Sequence, residues 1–280
     1  MGKIVGIDLG GTNVRAAVVQ GPEILDIKST RVKSKGSVED VLGQIYGLIE
    51  SLDTSDIEGI GMGVPGPVDD EKGIVYELFN IPAWKKVLVK DIFEQRYKVP
   101  VWVQNDANCY AVAEKFHGKG VKYSNFIGLI VGTGMAGGVF IKDKLYTGVN
   151  SGAGEFGMMK YLDKYYEYYS CGQFFSNVYG ISGKEAFDLA NQGDLKALEM
   201  WKEFGQHLGN AIESILYAYD PETIVLGGSV GKVLYMYEKY IWEVLENFVF
   251  KNSLKNFTIQ ASEIEDPGII GAAALHQLYN

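Results

Sequence analysis

The chain has 280 residues, of which 47% are hydrophobic and 22% charged, and its formal net charge at pH 7 is −9. This length allows one large domain or two modest ones, each with a hydrophobic core. The acidic balance argues against a nucleic-acid-binding surface, which needs a basic patch. It does not argue against a phosphate ligand, because backbone N–H groups can hold phosphate without positive side chains.

Targeting signals and disulfides are not predicted. The sequence has no run of about 18 apolar residues, so we expect no membrane-spanning helix and no membrane partner. The first residues lack the pattern of a signal peptide. The two cysteines, Cys109 and Cys171, lie far apart in the sequence, which favours a cytoplasmic protein without a disulfide framework.

The first part of the chain predicts strands followed by helices. Residues 3–9, 13–20 and 24–32 are typical of three short strands in a meander. Ser37 and Asp40 then form a capping-box pattern at the start of a helix. Apolar residues keep helical spacing along that helix at Val41, Leu42, Ile45, Leu48, Ile49 and Leu52. A glycine-rich strand ends at the turn Pro65–Pro67, and another strand ends at Asn105–Asp106, before a helix over 107–116.

A change of composition near residue 120 indicates a second unit. Two strands are predicted around the glycine turn at 132–138, and a long helical stretch covers 184–219. The predicted apolar stripe of that stretch consists of Leu195, Leu198, Trp201, Phe204, Leu208, Ile212, Ile215 and Leu216. A buried strand with a glycine turn, a late strand and a C-terminal helix follow. We interpret the chain as two α/β domains with a cleft between them, a smaller one of residues 1–118 plus 266–280 and a larger one of residues 119–265.

Four short segments each follow a predicted strand: DLGGTN at 8–13, QNDAN at 104–108, GTGMAGG at 132–138 and LGGSVG at 226–231. Glycine allows positive φ and close approach of a ligand, and consecutive amides in such a turn can hold an anion. A lone glycine pair more often marks a tight turn or close packing. Three glycine turns, two of them with threonine, favour a nucleotide. Neither a Walker loop nor a dinucleotide fingerprint occurs.

Two acidic residues at strand ends are candidates for phosphoryl-transfer chemistry. Asp8 would lie where phosphate-bound Mg²⁺ needs an acidic partner. Asp106 could accept the proton of a substrate hydroxyl as its oxygen attacks phosphorus, and Asn105 could bind a polyol. Asp106 could equally be only the N-cap of the following helix, and the sequence leaves these two interpretations open.

The chain resembles the ROK family of sugar kinases and sugar-responsive repressors. The motifs that carry the resemblance occur in the family's order over nearly the whole chain: GIDLGGTNVRAAVV, GVPGPVD, NIPAW, QNDANCYAVAE, VGTGMAGGVFIKDKLYTGVNSGAGEFG, PETIVLGGSV and GIIGAAAL. The resemblance implies the two-domain, actin-like ATPase fold, which is ribonuclease H-like, with ATP and sugar in the interdomain cleft. It also implies a homodimer and ATP with Mg²⁺ as cofactors.

The resemblance also implies roles for individual residues. Asp106 would be the catalytic base, and the other sugar-binding residues would be Gly66, Asn80, Asn105 and Glu155. The ATP-binding residues would be Asp8, Gly10, Gly11, Thr12, Asn13, Gly132, Thr133, Gly134, Gly227, Gly228 and Ser229. Repressor members carry an added N-terminal helix-turn-helix, whereas this chain opens on the first strand, so we expect a kinase that does not bind DNA.

The family's zinc-binding segment is altered here. In many ROK proteins a histidine and three cysteines after GE-x-G hold a structural zinc, which needs four ligands. Met158 stands at the histidine position, Tyr169 and Ser176 at two cysteine positions, and only Cys171 is kept, so no structural zinc is expected. Met158, together with Val178 at the position of a sugar-binding glutamate, replaces polar partners by apolar ones and leaves the sugar open.

Five tyrosines occupy the altered segment between residues 161 and 169. They could pack the segment or form a dimer contact in place of zinc, or they could offer hydroxyls and ring faces to a sugar. For the whole chain we expect an ATP-dependent kinase of a hexose or hexose derivative. The alternatives are a non-catalytic sugar or nucleotide sensor of the same fold and a polymerising, actin-like ATPase, which would need neither QNDAN nor Glu155.

Overall fold

The computed structural model describes residues 2–279, which form two compact units. The first unit comprises the described residues up to Lys122, Gly138–Ala153 and the described residues from Glu263 onward. The second comprises Tyr123–Gly137 and Gly154–Ser262. The domain bounds predicted from the sequence, and the cleft between the domains, stay predictions.

The secondary structure alternates between strands and helices along the chain. The elements up to residue 122 are β1 (Lys3–Leu9), β2 (Asn13–Gln20), β3 (Glu23–Arg31), α1 (Val38–Glu50), β4 (Ile57–Val64), β5 (Val68–Asp69), β6 (Ile74–Tyr76), β7 (Lys86–Leu88), α2 (Val89–Tyr97), β8 (Val101–Asn105) and α3 (Asp106–His117). The later elements are β9 (Phe126–Val131), β10 (Met135–Ile141), β11 (Lys144–Tyr146), β12 (Lys160–Tyr161), β13 (Lys164–Tyr165), α4 (Tyr166–Ser170), α5 (Phe174–Tyr179), α6 (Gly183–Asn191), α7 (Leu195–Tyr219), β14 (Thr223–Gly227), α8 (Gly228–Gly231), α9 (Glu238–Leu245), α10 (Lys251–Leu254), β15 (Thr258–Ala261) and α11 (Pro267–Tyr279). Two 3₁₀ turns lie at Phe156–Met158 and Leu234–Met236.

The first unit is built on a five-stranded mixed sheet in the order β3-β2-β1-β4-β8. Strands β1, β2 and β3 pair antiparallel, as the predicted meander requires, whereas β4 and β8 continue the sheet in parallel. The parallel strands are almost wholly buried, while β3 at the edge alternates between exposed and partly buried residues. The C-terminal ends of β1, β4 and β8 therefore lie side by side.

Helix α1 begins as the sequence predicts. The Ser37 hydroxyl accepts the Asp40 N–H, and the Asp40 carboxylate accepts the Ser37 N–H, so the capping box is confirmed. All six apolar residues predicted for its inner face are buried. The C-terminal helix α11 packs against α3, β1 and β4 through small residues that include Ala272 and Ala273.

A second five-stranded sheet has the order β11-β10-β9-β14-β15, with β9, β14 and β15 parallel. The predicted helical stretch over 184–219 is interrupted, because α6 ends at Asn191 and Asp194 caps a new helix, α7. The prediction of an inner position is therefore wrong for Leu195 and Leu198, which are 82% and 40% exposed. Both lie in the first turn of α7, where Ala197, and not either leucine, is the buried residue. None of the described helices combines the length and apolarity that a membrane crossing requires.

Candidate active site

The first glycine turn joins β1 to β2 in the first unit. The Gly10 amide donates to the Asn13 carbonyl at 2.9 Å and closes the turn. A Cβ atom on Gly11 would lie 2.6 Å from Nδ2 of Asn80, so only glycine lets the Asn80 amide approach the turn this closely. The predicted phosphate turn and the predicted sugar ligand Asn80 are therefore neighbours.

Asp8 lies at the end of β1 and pairs with Arg15 on β2. Its Oδ2 accepts a hydrogen bond from Arg15 Nη2 at 2.7 Å, and Arg15 Nη1 also pairs with Asp266. Sequence reasoning missed Arg15. The ion pair to Arg15 orients the Asp8 carboxylate, and Mg²⁺ commonly binds through one or two carboxylates plus substrate phosphates. Asp8 thus fits the predicted role toward Mg²⁺.

Asp106 is the first residue of α3, directly after β8. The N-cap of α3 is Asn105, whose Oδ1 accepts the amides of Ala107 at 2.9 Å and Asn108 at 3.3 Å. The alternative that Asp106 is merely the helix cap is therefore wrong. Asp106 accepts the Ala107 amide at 2.9 Å and is partly exposed. The Asp106 carboxylate is thus held at the first turn of α3 by one backbone amide, while Asn105 is the residue that caps the helix.

Asn105 is held by a buried polar network that the sequence did not reveal. Its Nδ2 donates to the Gly66 carbonyl at 3.4 Å, and its backbone amide donates to Oε1 of Gln104 at 2.8 Å. Nε2 of Gln104 in turn donates to the Tyr279 hydroxyl at 3.2 Å, and that hydroxyl donates to Asp70 at 3.0 Å. The last turn of α11 therefore helps to position the residue before Asp106. The sequence signal of this network is a glutamine at the end of the apolar run Val101–Val103, and the structure shows that Gln104 is fully buried.

Two of the predicted acidic residues act electrostatically on the same buried thiol. Burial raises the pKa of Cys109 well above its ordinary value, and the charges of Asp106 and Asp8 add to the rise. The thiol therefore stays protonated near neutral pH. This shared influence agrees with the position of both carboxylates at neighbouring strand ends in the first unit.

The second glycine turn, Gly132–Gly134, joins β9 to β10 in the second unit. The Gly132 amide donates to the Gly134 carbonyl at 3.0 Å. Gly132, Thr133 and Ser229 line one cavity of about 500 Å³. Gly227 ends β14, and Gly228 and Ser229 begin α8, so this third glycine turn lies at the same cavity. The predicted nucleotide residues of the second unit thus come together.

The walls of this cavity were missed by sequence reasoning. Phe175, Phe187 and Trp201 give it an apolar side, and Lys184 and Ser182 contribute polar groups. A cavity with an apolar side and a few polar groups suits a nucleobase. The aromatic residues belong to α5, α6 and α7, which lie apart in sequence, and no local pattern predicts their convergence.

Glu155 lies between Gly154 and the 3₁₀ turn Phe156–Met158. Its side chain keeps access to solvent, yet neighbouring protein atoms desolvate it and raise its pKa, and the charge of Glu167 adds to the rise. Met158 and Val178, at positions where the family resemblance implies polar residues, are 55% and 39% exposed. The role of Glu155 toward a sugar stays a prediction.

The segment that would hold zinc has other contacts. Cys171 is buried, and its Sγ donates to the Thr133 carbonyl at 2.9 Å, so this thiol is tied to the second glycine turn. Within residues 2–279, no group of three or more His, Cys, Asp or Glu side chains is placed to hold a metal ion. The expected lack of structural zinc stays a prediction that metal analysis can test.

Comparison with known proteins identifies the family. The model of the ROK family matches residues 4–278. The chain belongs to the ROK family. A glucokinase of Thermotoga maritima is 29% identical over 98% of this chain and 96% of its own length. An N-acetyl-D-glucosamine kinase of Histophilus somni is 32% identical over 96% of this chain and 97% of its own length.

A solved structure agrees with the family assignment. The ROK family glucokinase of Streptomyces griseus in complex with glucose and AMPPNP superimposes with a TM-score of 0.80, 25% identity and 98% coverage of both chains. This likeness confirms the predicted α/β, actin-like ATPase fold for the present ROK protein. The assignment of individual site residues remains a prediction.

Proposed function

We propose that this ROK protein is a kinase that transfers the γ-phosphoryl group of ATP to a hydroxyl of a hexose or hexose derivative. The observation that carries the proposal is the placement of Asp106 directly after β8, with the capping role taken by Asn105. A carboxylate that the helix does not need as its cap can accept a proton from a substrate. The glucokinase and the N-acetyl-D-glucosamine kinase among its relatives support the reaction class.

In the proposed reaction the sugar oxygen attacks the γ-phosphorus and ADP leaves. Asp106 accepts the hydroxyl proton as the new O–P bond forms. The backbone amides of Gly11, Thr12, Thr133 and Gly134 hold the phosphates, while those of Gly10 and Gly132 close the two turns. The apolar cavity of the second unit takes the base. Asn105, Asn80, Gly66 and Glu155 bind the sugar hydroxyls and orient one of them toward Asp106.

Mg²⁺ is the proposed metal, and Asp8 is the residue that would hold it through a bound water. Arg15 fixes the Asp8 carboxylate by a 2.7 Å hydrogen bond, so the acid is oriented before a nucleotide binds. The ion would neutralise charge on the triphosphate. Binding, orientation and proton transfer remain the work of the chain's own residues.

The sugar is not fixed by these residues. Met158 and Val178 remove polar partners that zinc-binding relatives offer, and a site with fewer donors and acceptors discriminates less between hydroxyl patterns. We therefore propose a site that accepts several hexoses or one with an apolar substituent, such as an N-acetyl group. The proposed compartment is the cytoplasm, which suits two free thiols.

The test is a coupled ADP-release assay over glucose, mannose, fructose, allose and the N-acetylated hexosamines. We expect ADP release with at least one sugar, and its loss in Asp106→Asn. Sugar binding without ADP release from any of them would instead support the sensor. Light scattering on the purified protein tests the proposed homodimer, and the net charge of −9 supports the proposal that nucleic acid is not a partner.

A further inference from the structure

The second glycine turn is held from one side by a single segment of the second unit, residues 161–172, here called the clamp segment. Oε2 of Glu167 accepts the Met135 amide at 2.9 Å. Sγ of Cys171 donates to the Thr133 carbonyl at 2.9 Å, and the Gly172 amide donates to the Gly132 carbonyl at 2.7 Å. Three hydrogen bonds therefore run along the turn, and one of them uses a charged acceptor.

The clamp segment rests on a compact group of rings, here called the tyrosine–histidine cluster, which consists of Tyr161, Tyr166, Tyr169, Phe174 and His207. Tyr161 and Tyr166 stack with ring centroids 4.5 Å apart. The Tyr161 hydroxyl lies 3.1 Å from Nδ1 of His207, and the Tyr166 hydroxyl donates to the Asn210 carbonyl at 3.1 Å. Tyr169 and Phe174 lie against the same imidazole, at 5.0 and 5.6 Å between centroids. The cluster thus fastens both ends of the segment near α7, a helix of 25 residues.

The clamp segment lies between the second glycine turn and α7 and contacts both. Glycine residues are flexible, so a turn that presents several amides to a phosphate must be held in place by its surroundings. A Cβ on Gly134 would lie 2.6 Å from Oε2 of Glu167, so the carboxylate lies directly on the turn. The Glu167 side chain therefore restricts the path of the backbone from Gly134 to Met135.

We propose that Glu167 is a positioning residue for the nucleotide. Its carboxylate holds the Met135 amide and orders the turn 132–134, and the tyrosine–histidine cluster supplies the rigidity beneath it without a metal ion. The inference rests on the proposed function, because the ligand that the turn would hold is the triphosphate of ATP. It assigns the tyrosines a supporting role inside the second unit.

The direct test is the affinity for AMPPNP, measured by calorimetric titration at pH 7.5. Glu167→Ala removes the acceptor, and we expect the Kd to rise about tenfold or more, as for a lost charge-assisted hydrogen bond. Glu167→Gln keeps an amide oxygen in the same place, and we expect a Kd within about threefold of wild type. Glu246→Ala, the same change at an exposed position of this unit, should leave the Kd unchanged.

The cluster is tested by His207→Phe, which keeps the ring and removes the partner of Tyr161. We expect a smaller rise in the Kd, and no further rise when this change is added to Glu167→Ala, because both act through the same turn. Unchanged affinity in Glu167→Ala, or a Kd in Glu167→Gln as weak as in Glu167→Ala, would overturn the inference alone. Wild-type protein that binds no AMPPNP would overturn the proposed function and this inference together.

Discussion

The replacement of Asp106 by asparagine separates proton transfer from folding. Asparagine has the same shape and keeps an oxygen for the Ala107 amide, which Asp106 now accepts at 2.9 Å. The variant loses one negative charge in the first turn of α3, worth about 0.3–1 kcal/mol of stability. Loss of a general base lowers turnover about 10²- to 10⁴-fold, equivalent to about 2.7–5.4 kcal/mol in the barrier. We therefore expect turnover to fall far more than stability.

The assay combines ADP release under saturating ATP and sugar with thermal unfolding and AMPPNP titration of the same preparations. Asp91→Asn is the matched control, since Asp91 also lies in the first turn of a helix, α2, and is exposed. We expect near-normal unfolding and AMPPNP binding in both variants, and lost turnover only in Asp106→Asn. Turnover close to wild type in Asp106→Asn would refute the assignment of the base, and so would a loss of turnover that tracks a collapse in stability.

Three further predictions concern stability and pH. Gly154 has a φ of +96°, and a Cβ atom there would lie 1.7 Å from the Gly137 carbonyl oxygen. Gly154→Ala should therefore lower the free energy of unfolding, measured by urea titration, by at least about 2 kcal/mol. Gly152→Ala, which has open space around its Cβ position, should be nearly neutral. Tyr279→Phe removes the hydroxyl shared by Gln104 and Asp70 and should lower the free energy of unfolding by about 0.5–1.5 kcal/mol in the same measurement. Tyr235→Phe, at a residue 70% exposed, should cost nothing measurable. Burial lowers the pKa of His207 and outweighs the opposite effect of Glu203, so the folded protein favours the neutral imidazole. The unfolding temperature of the wild type should therefore fall as the pH drops below about 6.5, and it should fall less in His207→Phe. Equal declines in both proteins would contradict the assignment.

Local rules explain what the sequence predicted well. The capping box of α1 uses residues three apart, and the meander β1-β2-β3 uses short turns between neighbouring strands, so each depends on few residues that are close in sequence. The four strand-end segments were also placed correctly, because each follows a short apolar run, and in three of them glycine marks the turn as well. The outer position of Leu195 was missed since the apolar spacing continues through the break at Gly193, where only the Asp194 cap shows that a new helix begins.

The sequence could not show which of Asn105 and Asp106 caps α3. Both residue types are good N-caps, and they are adjacent, so sequence alone leaves the cap to either. The register of β8 against β4 decides it, because Val64 pairs with Asn105 and the strand ends there. A shift of one residue would give Asp106 the capping role that Asn105 has here. The catalytic proposal therefore depends on a strand register that no local pattern specifies.

The contacts of the tyrosine-rich segment could not be predicted from the sequence either. Its contacts reach from Tyr161 to His207, 46 residues away, and from Cys171 to Thr133, 38 residues away, so composition could suggest packing but not its partner. A zinc site can be predicted from sequence because its ligands have fixed chemistry and spacing. A cluster of rings can form from any aromatic residues that the fold brings together, so no sequence pattern predicts it. Zinc would contribute strong bonds to few atoms, and the rings contribute contact area and hydrogen bonds spread over many. A segment held in this way should loosen gradually under single substitutions of its rings. Among the members of the tyrosine–histidine cluster the largest effect is expected at His207, because Tyr161, Tyr169 and Phe174 all contact it.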